Sequence, residues 1–439
     1  MNLFKDTPSK EKKKGTNCVS MSEEGIKCMD TDGILEVWNY TECDSSSPEE
    51  VKQQRGLIKD TEGNTILHSF GYTEEYTHVQ TDAIREKIVD PADWLFHYSV
   101  EGTLLRMFYH GDQWYVCTHK KLNAFKSRWS CKQTFGELLE QGLDDIFQQK
   151  GTLEWLQGQL PTTKVYFFLV RSNPQNRIVC HTHHLQKHES IVFLGHYVRD
   201  HPLPFCFYEK GVEGDEPAVL RVMESPPALS HPMTTVEEVC QLVSTTDPFV
   251  FQGVIAFRKN GMQSVKVLHT DYVKYYQVRG NNPNLRFRYL EVRNQPEQLK
   301  LLYVLYPKYT LLFDEYEGTL YQIARVIYQF YVNRYIKNQY ITLPREEYLL
   351  LKKCHQWYLE DRKNNRIFTQ KVLEILAHEP PLHLYKMIRR FHYERDVKPR
   401  HPLPYARTDM KMEIPVYNQK QNQEFMASLP PLTPPTSPK

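Results

Sequence analysis

Trp94-Leu95-Phe96-His97-Tyr98-Ser99-Val100-Glu101-Gly102-Thr103-Leu104-Leu105-Arg106-Met107-Phe108-Tyr109-His110-Gly111-Asp112-Gln113-Trp114-Tyr115-Val116-Cys117-Thr118 is the stretch on which the fold turns. Its apolar and aromatic runs are short, broken first at Glu101-Gly102 and again at His110-Gly111-Asp112, which has hairpin-loop chemistry. The stretch reads as antiparallel strands. Beyond it, Phe135, Leu138, Leu139, Leu143, Ile146 and Phe147 recur at helical spacing and predict a helix from Thr134 to Gln149. Strands return at Lys164 to Val170, Ile191 to Leu194, Phe249 to Phe257 and Ser264 to Leu268. The run Val165 to Val170 does not alternate, which predicts a strand buried on both faces. Between these strands, Thr234 or Thr235 followed by Glu237 or Glu238 has the form of a capping box and predicts a short helix.

After Asn281-Asn282-Pro283 the periodicity turns helical and stays so to about Arg395. Leu320, Ile323, Ala324, Ile327 and Tyr331 mark one helix face, and Pro344 with Glu346 and Glu347 marks a helix start that suits the dipole. The fold class is therefore α+β, with a domain of antiparallel sheets and helices followed by an all-α module. Four segments are expected: a mobile polar N-terminal arm over 1–50, the sheet domain over 51–280, a basic helical module over 281–395 and a Pro-rich flexible tail over 396–439. The tail, ending Leu429-Pro430-Pro431-Leu432-Thr433-Pro434-Pro435-Thr436-Ser437-Pro438-Lys439, suits an extended polyproline conformation.

Composition bounds the function. A chain of 439 residues is long for one hydrophobic core, so disulfides or metals need not prop it up. Its nine cysteines follow no framework and read as free thiols of a reducing compartment. The longest apolar run falls far short of membrane-spanning length, so a soluble intracellular protein with no membrane partner is expected. Charge is unevenly spread: residues 1–90 hold 11 Lys and Arg against 18 Asp and Glu, whereas residues 281–400 hold 21 against 13. A polyanion would meet the C-terminal third.

Four segments carry the candidate chemistry: Ser99-Val100-Glu101-Gly102-Thr103, Asn176-Arg177-Ile178-Val179, Phe251-Gln252-Gly253-Val254 and Val265-Lys266-Val267. Each alone is a common turn or strand. Their joint order and strand context resemble the adenylyltransferase domain of RNA ligases, over about residues 90–275. In that family the first segment reads Lys-x-Asp/Glu-Gly, and the lysine attacks the α-phosphate of ATP. The resemblance implies that Ser99 stands at the nucleophile position, Gln252 at the metal-binding glutamate and Leu268 at the second lysine of the final Lys-x-Lys. An acidic residue expected before Asn-Arg-Ile-Val falls near Leu169 or Val170, both apolar.

A neutral serine hydroxyl cannot replace an amine in a phosphoramidate intermediate, and Gln252 and Leu268 remove charges that metal and phosphate need. No residue is assigned a catalytic role. Glu101, Gly102, Arg106, Arg177 and Lys266 are the expected nucleotide-binding set. ATP and magnesium enter only if a displaced lysine such as Lys120 or Lys121 retains ligase activity.

Two further clusters need weighing. Cys180-His181-Thr182-His183-His184, with His188, His196, His201 and Cys206 beyond, contains zinc-binding residue types but no matched ligand pairs, so no metal is expected. In the helical module, arginines and lysines interleave with Tyr289, Tyr335, Trp357, Tyr358, Phe391 and Tyr393, the combination of phosphate neutralisation and stacking that binds nucleic acid. Arg286, Arg288, Arg389 and Arg390 are the expected nucleic-acid contacts. The stretches Gln277-Val278-Arg279-Gly280-Asn281 with Phe287-Arg288-Tyr289-Leu290, Trp357-Tyr358-Leu359-Glu360-Asp361-Arg362 with Asn365-Arg366-Ile367, and Lys386-Met387-Ile388-Arg389-Arg390-Phe391 resemble the iridovirus immediate-early protein family. That resemblance implies a protein made early in infection, in the host cytoplasm or nucleus.

The expectation that follows is a catalytically degenerate ligase-like protein binding RNA or nucleotide. Two alternatives remain, an active ATP-dependent polynucleotide ligase and a scaffold recruiting host proteins through its Pro-rich tail.

Overall fold

The computed structural model describes residues 25–171, 178–180 and 187–396. Strands β1 (Ile26–Thr31) and β2 (Leu35–Tyr40) pair as a hairpin, and β3 (Leu57–Asp60) and β4 (Thr65–Leu67) extend it into a four-stranded antiparallel sheet. This corrects the expectation of a mobile arm for residues 26–40. Alternate residues Leu35 and Val37 are fully buried with Ile58 and Leu67, a period-2 signal that the surrounding Asp, Glu and Ser conceal. Residues 1–24 lie outside the described residues, as does the tail from 397 onward.

The helix α1 (Glu49–Lys52) precedes β3; β5 (Glu74–Thr77) and α2 (Thr81–Lys87) precede β6 (Trp94–Ser99). The predicted hairpin follows, joining β7 (Gly102–His110) to β8 (Gln113–Cys117). Gly111 and Asp112 both take positive φ, 55° and 62°, as a tight two-residue turn requires. Helix α3 (Phe135–Phe147) is capped by a reciprocal Thr134–Glu137 box, and α4 (Thr152–Gln159) comes next. Then follow β9 (Lys164–Arg171), β10 (Ile191–Val198) and β11 (His201–Phe207), a strand the sequence reading did not separate from the histidine cluster. Helix α5 (Val236–Thr245) uses Thr235 and Glu238 as its box, and β12 (Gly253–Arg258), β13 (Ser264–Leu268) and α6 (Thr270–Arg279) complete the run.

These strands make two further sheets. One has the order β11-β10-β9-β7-β8, with β9 at its centre and buried on both faces as its unbroken apolar run predicts. Leu105, Tyr166, Phe168 and Val170 pack towards α3 and α4, while Phe108, Val165 and Phe167 pack with Leu35, Val37 and Phe257. The other sheet has the order β5-β13-β12-β6, antiparallel except that β5 runs parallel to β13. Its Val254, Ala256, Val265 and Val267 face Val236, Val239 and Val243 of α5. The opposite face of this sheet carries the candidate site.

The chain divides between Gln277 and Val278 into two compact units. The second contains α7 (Leu285–Val292), α8 (Pro296–Leu305), α9 (Thr310–Tyr331), α10 (Arg345–Glu360), α11 (Thr369–Ala377) and α12 (Pro381–Asp396). The predicted face of α9, Leu320 to Tyr331, is buried. Glu346 and Glu347 do open α10, but they are buried and held by Lys386 and Arg390 of α12. They fasten two helices together as well as suiting a dipole.

Candidate nucleotide site

Strand register places the site. Gly253 of β12 stands opposite Ser99 of β6 on one side and Leu268 of β13 on the other. In the next cross-strand row but one, Ile255 stands between His97 and Lys266, with Glu75 of β5 beyond. Directly opposed residues project from the same face, so Ser99, His97, Lys266 and Leu268 share it. Gly253 has φ 142°, and a Cβ there would lie 2.1 Å from the Val267 carbonyl oxygen. At Gly102 a Cβ would lie 2.7 Å from the Val170 carbonyl oxygen, so the turn after Glu101 can lie against β9 only without a side chain.

One hydrogen-bonded chain occupies the position that the motif comparison marks. Ser99 Oγ donates to Gln252 Oε1 at 2.8 Å; Gln252 Nε2 donates to the Tyr272 hydroxyl at 2.7 Å; that hydroxyl donates to Glu101 Oε1 at 3.1 Å. The backbone N–H groups of Val179 and Ile178 donate to the two oxygens of Glu101 at 2.8 and 3.1 Å. All four side chains are buried. The main chain holds them in place, since Gln252 N–H donates to the Ser99 carbonyl and His269 N–H donates to that of Gln252.

Burial pushes the Glu101 carboxyl above its ordinary value, and the hydrogen bonds from Val179, Ile178, Cys180 and Tyr272 only partly oppose that. Burial, with the neighbouring Glu101 carboxylate, also pushes the Tyr272 phenol well up. Tyr272 therefore acts as a donor. Ser99 faces an amide oxygen, which accepts its proton in a hydrogen bond but is no base. Burial pushes the His97 imidazole below its ordinary value, and its Nδ1 has no partner among the described residues.

Lys266 reaches Glu75 at 3.4 Å and keeps partial exposure on the shared face. Arg106 is elsewhere. Its side chain is fully buried and donates to the carbonyls of Gly56 and Thr118, tying the first sheet to the second. The expectation of a phosphate-pairing Arg106 is corrected on that ground: a desolvated guanidinium committed to two carbonyls serves the core. Lys121 pairs with Asp30 at 3.0 Å and is spent on the N-terminal hairpin. Arg177 lies outside the described residues, as do His181, His183 and His184. His196 is buried against Lys164 and Asp215, and among the described residues no group of three or more His, Cys, Asp or Glu is placed to hold a metal.

The chain is 26% identical over 382 residues to the "Immediate-early protein ICP-46 homolog" of Invertebrate iridescent virus 3, covering 84% of this chain and 80% of that relative. The chain is thus similar to iridovirus immediate-early proteins. It is also 24% identical over 314 residues to the homolog of Invertebrate iridescent virus 6, spanning 68% of this chain and 66% of that one. Against the "Immediate-early protein ICP-46" of Frog virus 3 it is 24% identical over 212 residues, 46% of this chain and half of that protein. No protein-family model matches. Among solved structures, a mutant Naegleria gruberi RNA ligase with ATP and Mn superposes with a TM-score of 0.32 at 12% identity, covering 47% of this chain and 58% of that one. An archaeal ATP-dependent RNA ligase superposes with a TM-score of 0.35 at 11% identity, covering 65% and 74%.

The donor set at Ser99 does not fit a divalent metal. Gln252 offers an amide in place of a carboxylate, and that amide is committed to Ser99 and Tyr272. The oxygens of Glu101 are taken by backbone N–H groups and a phenol. Tyr272 was absent from the expected site, because an aromatic in a helix reads first as core; its place just after the β13 segment was the available signal.

The expected nucleic-acid contacts of the helical module are largely paired within it. Arg390 binds Glu346 at 2.9 Å and Glu347 at 2.7 Å, and Arg288 donates to the Val278 carbonyl and to Glu291. Arg286 lies beside the Tyr316 hydroxyl, and Arg389 covers the Tyr385 ring at 5.9 Å. Arg390 and Arg288 thus have structural partners that the sequence pattern did not reveal.

Proposed function

We propose that this chain is a viral immediate-early protein that binds a nucleotide or an RNA end without forming a covalent adenylate. The observation that carries this reading is the Ser99–Gln252–Tyr272–Glu101 chain. It commits to one another the side chains standing where an attacking amine and a metal carboxylate would have to stand. Four separated sequence segments supply the site, and the register of β6, β12 and β13 brings three of them onto one sheet face. Lys266 is the cation on that face available to a phosphate, at the cost of its exposed partner Glu75.

Incubation of the full chain with labelled ATP and magnesium or manganese, followed by denaturing electrophoresis, tests the negative half. No label should remain on the protein, and a covalent, lysine-dependent adenylate would overturn the proposal. Calorimetric titration with ATP, AMP and a 5′-phosphorylated oligoribonucleotide tests the binding half. Absence of binding to all three would overturn it.

A further inference from the structure

The second unit carries a surface that the nucleotide reading leaves unused. Helix α9 does not end cleanly at Tyr331 but continues through a π-helical turn, Val332–Ile336, with Lys337 N–H donating to the Val332 carbonyl at 2.9 Å. Such turns widen a helix locally and often mark functional positions. Here the turn delivers Tyr335 onto His355 of α10, with ring centroids 3.7 Å apart and planes 7° from parallel. Tyr358 continues the stack at 5.9 Å and 27°. The result is a ladder of three rings whose outer member, Tyr358, is half-exposed.

Cations border the ladder. Arg334 lies over both Tyr335 and Tyr348, at 5.6 and 5.4 Å, and Lys352 lies over Tyr348 at 5.7 Å. Lys352 and His355 stand three apart on α10, and Arg362, in the turn just past the helix end, lies near enough to His355 to act on its ring. Glu347, Leu350, Leu351 and Cys354 of the same helix are buried. Arg334, Lys352 and Arg362 have no carboxylate partner among the described residues. The acids next to Arg362 in sequence are Glu360, which is exposed, and Asp361, whose carboxylate caps the backbone of Lys363 and Asn364. Burial, with Arg362 and Arg334 nearby, holds His355 below its ordinary value.

We infer that this face of the π-turn and α10 binds single-stranded polynucleotide, with a base stacking on the Tyr358 end of the ladder and phosphates meeting Arg334, Lys352 and Arg362. Charge complementarity selects a polyanion, and a ring stack ending at solvent selects one with unpaired bases. A buried ion pair such as Arg390 with Glu347 would have to break to serve the same purpose; these three cations would not. The inference does not depend on the Ser99 site, which lies in the other unit.

Fluorescence polarisation of a labelled 20-mer oligouridylate against the full chain, at several salt concentrations, tests it. The wild type should bind with affinity falling as salt rises. The triple variant Arg334→Gln, Lys352→Gln, Arg362→Gln should bind at least 10-fold more weakly, with a salt slope shallower by about 2, since each phosphate contact on a single strand contributes about 0.7. Tyr358→Leu, which keeps an apolar side chain and removes the ring, should weaken oligouridylate by about 5- to 150-fold and leave heparin affinity unchanged. ATP binding, measured in parallel, should be unaffected in both variants. Failure of the wild type to bind, unchanged affinity in the triple variant, or equal loss of heparin and oligouridylate on Tyr358→Leu would each overturn the inference. Unchanged circular dichroism in both variants separates these results from unfolding.

Discussion

The Ser99 hydroxyl donates to the Gln252 amide oxygen at 2.8 Å, and both residues are buried. Two of the positions at which the sequence departs from the ligase pattern are thus in contact with each other. Serine supplies one donor and glutamine accepts it, whereas lysine opposite glutamate would place a charged pair there. A neutral pair at these two positions avoids the cost of burying two charges.

This pairing predicts that Ser99→Ala destabilises the protein. Gln252 Oε1 would be left buried without a donor, a loss of about 1–3 kcal/mol. Urea unfolding should show a lower midpoint with an unchanged slope. Ser99→Lys should yield no adenylate in the labelled ATP assay, because Gln252 and Leu268 remain; recovery of label on that variant would show that the serine alone had silenced the site.

Glu101 sets a pH dependence of definite sign. Its folded value is raised above the ordinary 4.5, so between the two values the native state binds more protons than the unfolded state. The contribution is therefore fully present below about pH 4.5 and declines as pH rises through the folded value. Glu101→Gln should flatten this component while lowering stability overall, since an amide N–H₂ would face the Ile178 or Val179 N–H. Unfolding free energies measured from pH 4 to 8 in the two proteins check it; parallel profiles would exclude Glu101 as the source.

The sheet domain was largely legible because its signals are local. Positive φ at Gly111 and Asp112, the Thr134–Glu137 and Thr235–Glu238 boxes and the unbroken run of β9 all follow from residues within a few positions of one another. Residues 26–40 were misread because Leu35 and Val37 are buried by partners such as Phe108, more than seventy positions away. The site shows the same division. Ser99, Glu101 and Gln252 were found through motif order, but Tyr272 joins them only through the packing of α6, which no spacing reports. Arg106 and Arg390 were misassigned for a related reason: an arginine's partner decides whether it serves the core or a ligand, and Gly56 and Glu347 are distant in sequence.

Arg390 should accordingly behave as a structural residue. Glu347 is fully buried and takes two hydrogen bonds from the guanidinium, so Arg390→Ala would remove the cationic partner of a core carboxylate at a cost of about 3–5 kcal/mol. Glu346 adds a pH term opposite in sign to that of Glu101. Although burial opposes it, the hydrogen bond from Lys386 and the charges of Arg390 and Lys386 hold its carboxyl down at about 2. That stability is present above the ordinary value of 4.5 and is lost as pH falls towards 2. The acid unfolding of the helical unit, followed by circular dichroism, should lose this component in Glu346→Gln; an unchanged acid limb would assign it to other carboxylates.

Lys266 offers the sharpest test of whether the sheet face binds phosphate. Its partner Glu75 is half-exposed, and such pairs contribute about 0–1 kcal/mol to stability. Lys266→Gln should therefore leave the unfolding midpoint almost unchanged. If a nucleotide phosphate displaces Glu75 from the ammonium, the same substitution should weaken ATP binding by about 10-fold, the value of one charge-assisted hydrogen bond of roughly 1.5 kcal/mol. Glu75→Gln should strengthen binding by releasing the lysine from competition. Opposite effects of the two variants on ATP affinity, with equal stability, are what phosphate capture requires; parallel losses would mean that the pair only holds β5 against β13.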